Sequence, residues 1–386
     1  MNKTCLVFYL DFDDIAINSV ESAIVASHKV RKTPAMNIYR FSLPALALLG
    51  LALSPAAHAQ SYQFTSFDGP VQTTAGATLV ATTVNGISNS GVVVGFTSDN
   101  NGVFTNFSGT PGTPGALTAL NLSGTANANA INTSRQVVGA NGTSAFTLNS
   151  ISPANSPLPL PPVNGTTTSE AAFGINDNGV IVGQYTDSNT GTTPGFVDVN
   201  GAYTTLNPAA PINGALVVNA QGINNNGLVT GFYATNANAT DQHGFLFDTK
   251  TSAYTLLPDP STAKTANGNL ALTQFLGIND MGEAVGYYQT KDTGSQFGFL
   301  FNTSTKAYTF LDDPLAAQFN GAQTTQITGI NDAGQIAGFF IGANGVQQGF
   351  IAAPVPEASS FVSLVLLLAL GVGGMAWTAR KRRVLS

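Results

Sequence analysis

The chain has 386 residues, 43% of them hydrophobic and only 9% charged, with a net charge of −6. Its one cysteine is Cys5, so the rest of the chain has neither a disulfide framework nor thiolate metal ligands. Apart from a short C-terminal cluster the basic residues are scattered, which argues against a nucleic-acid partner, because phosphate binding needs grouped cations.

Residues 1–35 hold Asp11, Asp13 and Asp14 and fit no export signal. From Met36 the pattern changes. Arg40 gives a short cationic start, residues 41–53 an apolar core, and Ala57-His58-Ala59 a small-x-small cleavage site. That is the layout of a secretory signal peptide. Residues 36–59 are therefore expected to be removed after Ala59, and residues 1–35 to be an extension upstream of a true start at Met36.

The body, residues 60–354, keeps five of the 14 basic residues and 15 of the 20 acidic ones. Gly, Asn, Thr, Ser and Ala dominate it, with Phe, Val, Ile and Leu in short runs, a composition suited to a turn-rich all-β fold. The runs recur as Gly-Ile-Asn-x-x-Gly-x-x-x-Gly-aromatic. Clear copies start at Gly174, Gly222, Gly277 and Gly329, and weaker ones at Gly86 and Ala130. The isoleucines fall at 87, 131, 175, 223, 278 and 330, so a fixed core alternates with loops of varying length.

Each copy reads as strand, turn, strand, because Asn, Asp and Gly tolerate the backbone of a tight hairpin. Then follow a Gly-Phe-hydrophobic strand, as at Gly244-Phe245-Leu246, and a fourth run, as at Ala253-Tyr254-Thr255. Four short antiparallel strands per unit describe a propeller blade; a parallel β-helix would repeat on a shorter coil. The sixth copy stops at Gly349-Phe350-Ile351, and residues 62–67 resemble its missing fourth strand. The expected fold is thus an all-β six-bladed β-propeller, closed by the N-terminal strand. The repeats resemble the HAF family of bacterial extracellular repeats, with the His-Ala-Phe element eroded to Ser144-Ala145-Phe146, His243-Gly244-Phe245 and similar triplets. That resemblance implies an extracellular location and no particular activity.

Candidate chemistry is sparse. His243 is the only histidine of the body, and Asp241, two residues away, is its nearest sequence partner; a strand-end role is expected rather than catalysis. Asp177, Asp280 and Asp332 occupy equivalent turns, with Asn225 in a fourth, and read as turn residues because one carboxylate per turn is too few for calcium. Gly183, Gly231, Gly286 and Gly338 read as bulges or close strand approaches. The acids Glu170, Asp187, Asp198 and Glu283 show no obvious pairing, and Tyr185, Tyr233 and Tyr288 are the candidates for an exposed aromatic face. No catalytic residue, metal or cofactor is expected.

The chain closes with Val355-Pro356-Glu357, an uncharged run over residues 361–379, and the cluster Arg380-Lys381-Arg382-Arg383. The run approaches the roughly 20 residues of a transmembrane helix. The cluster should stay cytoplasmic, leaving the body on the far side of the inner membrane. This tail, residues 355–386, resembles the PEP-CTERM sorting signal of Gram-negative bacteria, with Ala358 in place of the motif's second proline. The resemblance implies processing by exosortase and an association with exopolysaccharide and biofilm. The reading is a non-enzymatic protein exported across the inner membrane, transiently anchored, then surface-bound or extracellular. The alternatives are a sugar- or protein-binding module and a carbohydrate-active enzyme.

Overall fold

Every Gly-Ile-Asn segment ends a strand, and the turn that follows is built by its asparagine. In the third copy the Asn176 N–H donates to Val180 O at 3.1 Å and the Gly179 N–H to Asn176 O at 3.0 Å. The Asn176 side-chain oxygen accepts the N–H groups of Asn178 at 3.1 Å and Val180 at 2.9 Å. Gly179 sits at φ +77°, a left-handed conformation that glycine adopts without steric cost. In the second copy this position is Arg135, which takes φ +61° without that freedom.

In the computed structural model, the described residues are 61–355 except 72–75, 114, 123–124, 151–157, 160–161, 208–211, 213 and 237–239. The expected signal peptide with its cleavage residues Ala57 and Ala59, the expected extension before it, Pro356, Glu357, the expected transmembrane helix and the cluster Arg380-Lys381-Arg382-Arg383 lie outside them. No described helix is long and apolar enough to cross a membrane. The described residues are all-β, with one 3₁₀ turn at Ala266–Gly268.

Four sheets of four strands stand apart. One, for example, takes Thr167–Ile175, Ile181–Asp187, Gly195–Val199 and Ala202–Leu206 in order, each antiparallel to the last. The remaining eight strands form a fifth sheet. It contains Leu79–Ile87 with the three strands after it, and Thr325–Ile330, Ile336–Ile341 and Gln347–Pro354 with the N-terminal strand Tyr62–Phe67. Tyr62–Phe67 runs antiparallel to Gln347–Pro354, pairing Tyr62 with Pro354 and Phe67 with Gly349. The expected closure by the N-terminal strand is therefore observed, and it covers what would be an open sheet edge.

The core lies between neighbouring sheets. Val138 and Ala145 of one unit pack on Ala172, Ile175 and Phe196 of the next. Phe67, Val84, Phe107, Ala337 and Ile351 join the last unit to the first, so the sheets form a propeller-like ring. The anchor of each unit is the phenylalanine of its third strand: Phe107, Phe146, Phe196, Phe245, Phe299 and Phe350 are all buried. Each pairs across the ladder with the glycine of the second strand, as Phe196 with Gly183 and Phe350 with Gly338. A Cβ at Gly183 would lie 2.8 Å from the Phe196 ring and would run into the carbonyl oxygen of Ala171. The close strand approach expected at Gly183, Gly231, Gly286 and Gly338 is present at all four.

Candidate functional site

The first strands line the ring's axis, and a β-bulge in each sets what faces it. The pairing slips by one residue at Asn85, Asn129, Phe173, Gln221, Leu276 and Thr328, immediately before the Gly-Ile pair, or before Ala130-Ile131 in the second unit. Bulges re-aim side chains, and five of these six line a cavity of about 70 Å³ on the axis. The glycine that follows permits the close approach of strands at the axis. A Cβ at Gly222 would sit 2.9 Å from the Cα of Gly277, and one at Gly277 would sit 3.2 Å from the Cα of Gly329.

The six isoleucines then form a girdle that lines this cavity and a second one of about 60 Å³ on its other side. The second cavity is walled by the turn asparagines. Their side chains form a ladder around the ring: Asn132 Nδ2 donates to Asn176 O at 3.1 Å, Asn176 to Asn224 O at 3.0 Å, and Asn224 to Asn279 O at 2.9 Å. Asn279 continues it to Asn331 O at 3.2 Å, and Asn331 to Ser88 O at 3.2 Å. The next residue of each turn repeats the device. Its backbone N–H donates to the side chain of the following unit: Thr133 to Asp177 at 2.8 Å, Asp177 to Asn225 at 2.9 Å, Asn225 to Asp280 at 2.7 Å, and Asp280 to Asp332 at 2.8 Å.

Asn89 finishes this second ladder. It accepts the Asp332 N–H at 2.8 Å, and its Nδ2 donates to Asp332 at 2.7 Å and to Asp177 at 2.9 Å. Burial pushes the Asp177 carboxyl up, but the hydrogen bonds from Thr133, Asn89 and Asn225 outweigh it and hold it below the usual range. Sequence reading made Asp177, Asp280, Asp332 and Asn225 turn residues. The structure makes them turn residues that also latch neighbouring units together. No group of three or more His, Cys, Asp or Glu side chains among the described residues is arranged to hold a metal ion.

Elsewhere the structure corrects several sequence readings. Tyr185 and Tyr288 are buried, at 3% and 2% exposure, and Tyr233 is half-buried, so the three do not form an exposed aromatic face. His243 begins the strand His243–Asp248, and its partner is Asp259, with Nδ1 at 3.1 Å from the carboxylate. That hydrogen bond raises the His243 pKa, against the opposing effect of burial. Asp241 instead binds Thr235 and Asn236.

Glu170 and Asp198, which the sequence leaves unpaired, share one sheet and are 4% and 3% exposed. Burial, with the charge of Asp198 adding to it, pushes the Glu170 carboxyl up to about 7. The Tyr203 hydroxyl, buried beside Glu170, opposes part of that rise by interacting with the carboxyl, and burial pushes Tyr203 up in turn. Asp187 is held below the usual range, mainly by Thr166, and Glu283 accepts from Asn279 Nδ2 at 2.8 Å. Val355, where the expected sorting motif begins, donates its N–H to Ser61 O at 2.8 Å.

No protein-family model matches the chain, and no curated protein matches it. Among solved structures it is similar to oligogalacturonate lyase from Vibrio parahaemolyticus, at 11% identity and a TM-score of 0.42 over 78% of this chain and 100% of that one. It is also similar to a mutant of Aleuria aurantia lectin in complex with α-methyl-L-fucoside, at 14% identity and a TM-score of 0.38 over 74% and 97% of the two chains. A third is the GH74 xyloglucanase from Xanthomonas campestris, at 10% identity and a TM-score of 0.37 over 69% and 46%. Likeness at these values carries no activity or ligand across.

Proposed function

We propose that this chain is an exported, non-enzymatic surface or extracellular-matrix protein. A signal peptide ending at Ala59 delivers a six-bladed propeller, and exosortase removes the tail that begins at Val355. The observation that carries this reading is the Val355-to-Ser61 hydrogen bond of 2.8 Å. The folded ring begins and ends at one point, with both sorting signals immediately outside it. Cutting there would leave the closing strand pair of Tyr62–Phe67 and Gln347–Pro354 intact.

The count of six blades is supported by how the eight-stranded sheet is joined. Its halves meet through a single parallel bridge, Ala81 to Gln347. Isolated parallel bridges of the same kind, Thr193 to Val217 and Gln296 to Thr324, occur between strands of sheets that stand apart. On this reading the join is a contact between two blades.

The tail residues 355–386 resemble a PEP-CTERM signal and the units resemble HAF repeats, both of which favour delivery to the cell exterior, with exopolysaccharide as the associated material. The acids Glu170 and Asp198, which share one sheet, are both buried, which favours the non-enzymatic reading. A binding module is the second reading, favoured by the cavity on the ring axis. Fractionation of the native host with and without exosortase tests the proposal. Release from the inner membrane only when exosortase is present is the expected result, and equal membrane anchoring in both strains rejects it.

A further inference from the structure

We propose that Asn320 is a site of self-modification, where the backbone nitrogen of Gly321 displaces the side-chain amide. Asn-Gly is the pair most open to this chemistry, because glycine has no side chain to shield its nitrogen. The Gly321 nitrogen gives its proton to solvent and bonds to Asn320 Cγ. The Cγ–Nδ2 bond breaks, ammonia leaves, and a five-membered succinimide closes. Water then opens the ring at either carbonyl, leaving an aspartyl or an isoaspartyl link at position 320. The balance is amide plus water to carboxylic acid plus ammonia, with no other reactant. The step needs a glycine N–H free of hydrogen bonds and an asparagine side chain free to swing onto it.

Asn-Gly pairs recur through the chain, and among the described residues most are restrained in one of two ways. In the repeat turns the glycine N–H is already a donor, from Gly179 to Asn176 O at 3.0 Å and from Gly227 to Asn224 O at 3.2 Å. Gly102 and Gly345 donate in the same way to Asp99 O at 3.0 Å and Gly342 O at 2.9 Å. Gly268 lies in the 3₁₀ turn Ala266–Gly268, whose bonding uses such N–H groups. Elsewhere the asparagine is held instead. Asn85 Nδ2 donates to Ala128 O at 2.9 Å, Asn141 Oδ1 accepts from Thr125 Oγ1 at 3.0 Å, and Asn164 Oδ1 accepts the Thr166 N–H at 2.9 Å.

Two hairpin tips of one geometry make the deciding comparison. Asn200 and Gly201 have φ +54° and +86°, and Asn320 and Gly321 have φ +51° and +86°. Both pairs are exposed and both are followed by alanine. At the first tip the Gly201 N–H donates to Asp198 Oδ1 at 2.6 Å. At the second, Phe319 and Ala322 exchange backbone hydrogen bonds of 2.9 and 3.1 Å, and the tip between them is unrestrained. Neither the Gly321 N–H nor the Asn320 side chain has a hydrogen-bond partner among the described residues. Asn320 therefore meets both conditions. An isoaspartyl link would add a carbon to the backbone of a two-residue turn and open the Phe319–Ala322 pair. Phe319 would then leave Gly345, where an added Cβ would lie 2.5 Å from its ring.

The test is incubation of the full chain in detergent at mildly alkaline pH, with peptide mapping by mass spectrometry to follow conversion of each amide to a carboxylate. Asn320 should convert about tenfold faster than Asn200, because freeing the Gly201 N–H from Asp198 adds to the barrier there. In concentrated urea the two tips lose their structure and, with the same following residues, should convert at similar rates. Asn320→Gln, which would have to close a six-membered ring, should remove the signal at position 320 and leave the rate at Asn200 unchanged. The proposal is overturned if Asn320 stays intact in the folded chain, if it converts no faster than Asn200, or if the tenfold difference persists in urea.

Discussion

Asn331 donates its side-chain amide to the carbonyl oxygen of Ser88 at 3.2 Å, joining residues 243 positions apart. With this bond the asparagine ladder passes from the last unit back to the first. One rung is then missing, because Ser88 lacks the amide that its counterparts use. Its hydroxyl lies 3.0 Å from that of Ser90 instead.

Completing the ladder should stabilise the ring. In Ser88→Asn the new side chain can donate to the Asn132 carbonyl and still accept the turn N–H groups, as Asn176 does in its own unit. A gain of about 1 kcal/mol is expected from one further buried hydrogen bond. Removing a rung by Asn224→Ala should cost about 1–3 kcal/mol, because the Asn279 carbonyl loses a donor and the turn loses its side-chain acceptor. Urea denaturation of both variants checks the pair; a neutral Asn224→Ala would deny the ladder an energetic role.

Arg135 holds φ +61° where the five other turns place a glycine. Arg135→Gly should therefore raise stability by about 0.5–1 kcal/mol, the relief of left-handed strain exceeding the extra freedom of the unfolded chain. The melting temperature measures it, and a fall would show that the arginine side chain stabilises the turn by some other contact.

Close packing at the axis predicts that Gly222→Ala destabilises, because its Cβ would sit 2.9 Å from the Cα of Gly277. Overpacking of this kind costs about 1–3 kcal/mol. Gly165→Ala, where a Cβ meets nothing within 4 Å, is the control and should be near neutral. Similar losses at both positions would refute the axial packing argument.

Glu170 occupies a position held by Thr82, Thr273 and Thr325 in other units, all buried. Its folded pKa of about 7 lies above the 4.5 of the free side chain. The folded state thus binds the proton more tightly, so stability falls as pH rises from about 4.5 to 7 and levels off above that. Glu170→Thr should remove this decline and gain about 1–3 kcal/mol at pH 8, with little gain at pH 4. Chemical denaturation across that range decides the matter; an equal gain at both pH values would attribute the effect to packing rather than ionisation.

The sequence carried the ring well, because its signals are local. Gly-Ile-Asn marks the strand end and turn, and the Gly-Phe pair marks the third strand. The missing fourth strand after Phe350 pointed to Tyr62–Phe67. Relations across units were not legible. The latch between Asp177 and Asn225 joins residues 48 positions apart and exists only once the turns meet around the axis. Tyr185 and Tyr288 follow the second-strand glycine as an exposed residue could, but their side chains are buried in the sheets. The His243 partner was sought at Asp241 by sequence distance, whereas folding of the loop after the fourth strand brings Asp259 to it.

Delivery to the cell exterior is tested most directly by the intact mass of the protein recovered from outside the native host. The predicted product begins at Gln60, retains the ring through Pro354, ends close to Val355-Pro356-Glu357, and appears only in cells with exosortase. Recovery of a chain that still carries residues 361–386 outside exosortase-positive cells would contradict the account.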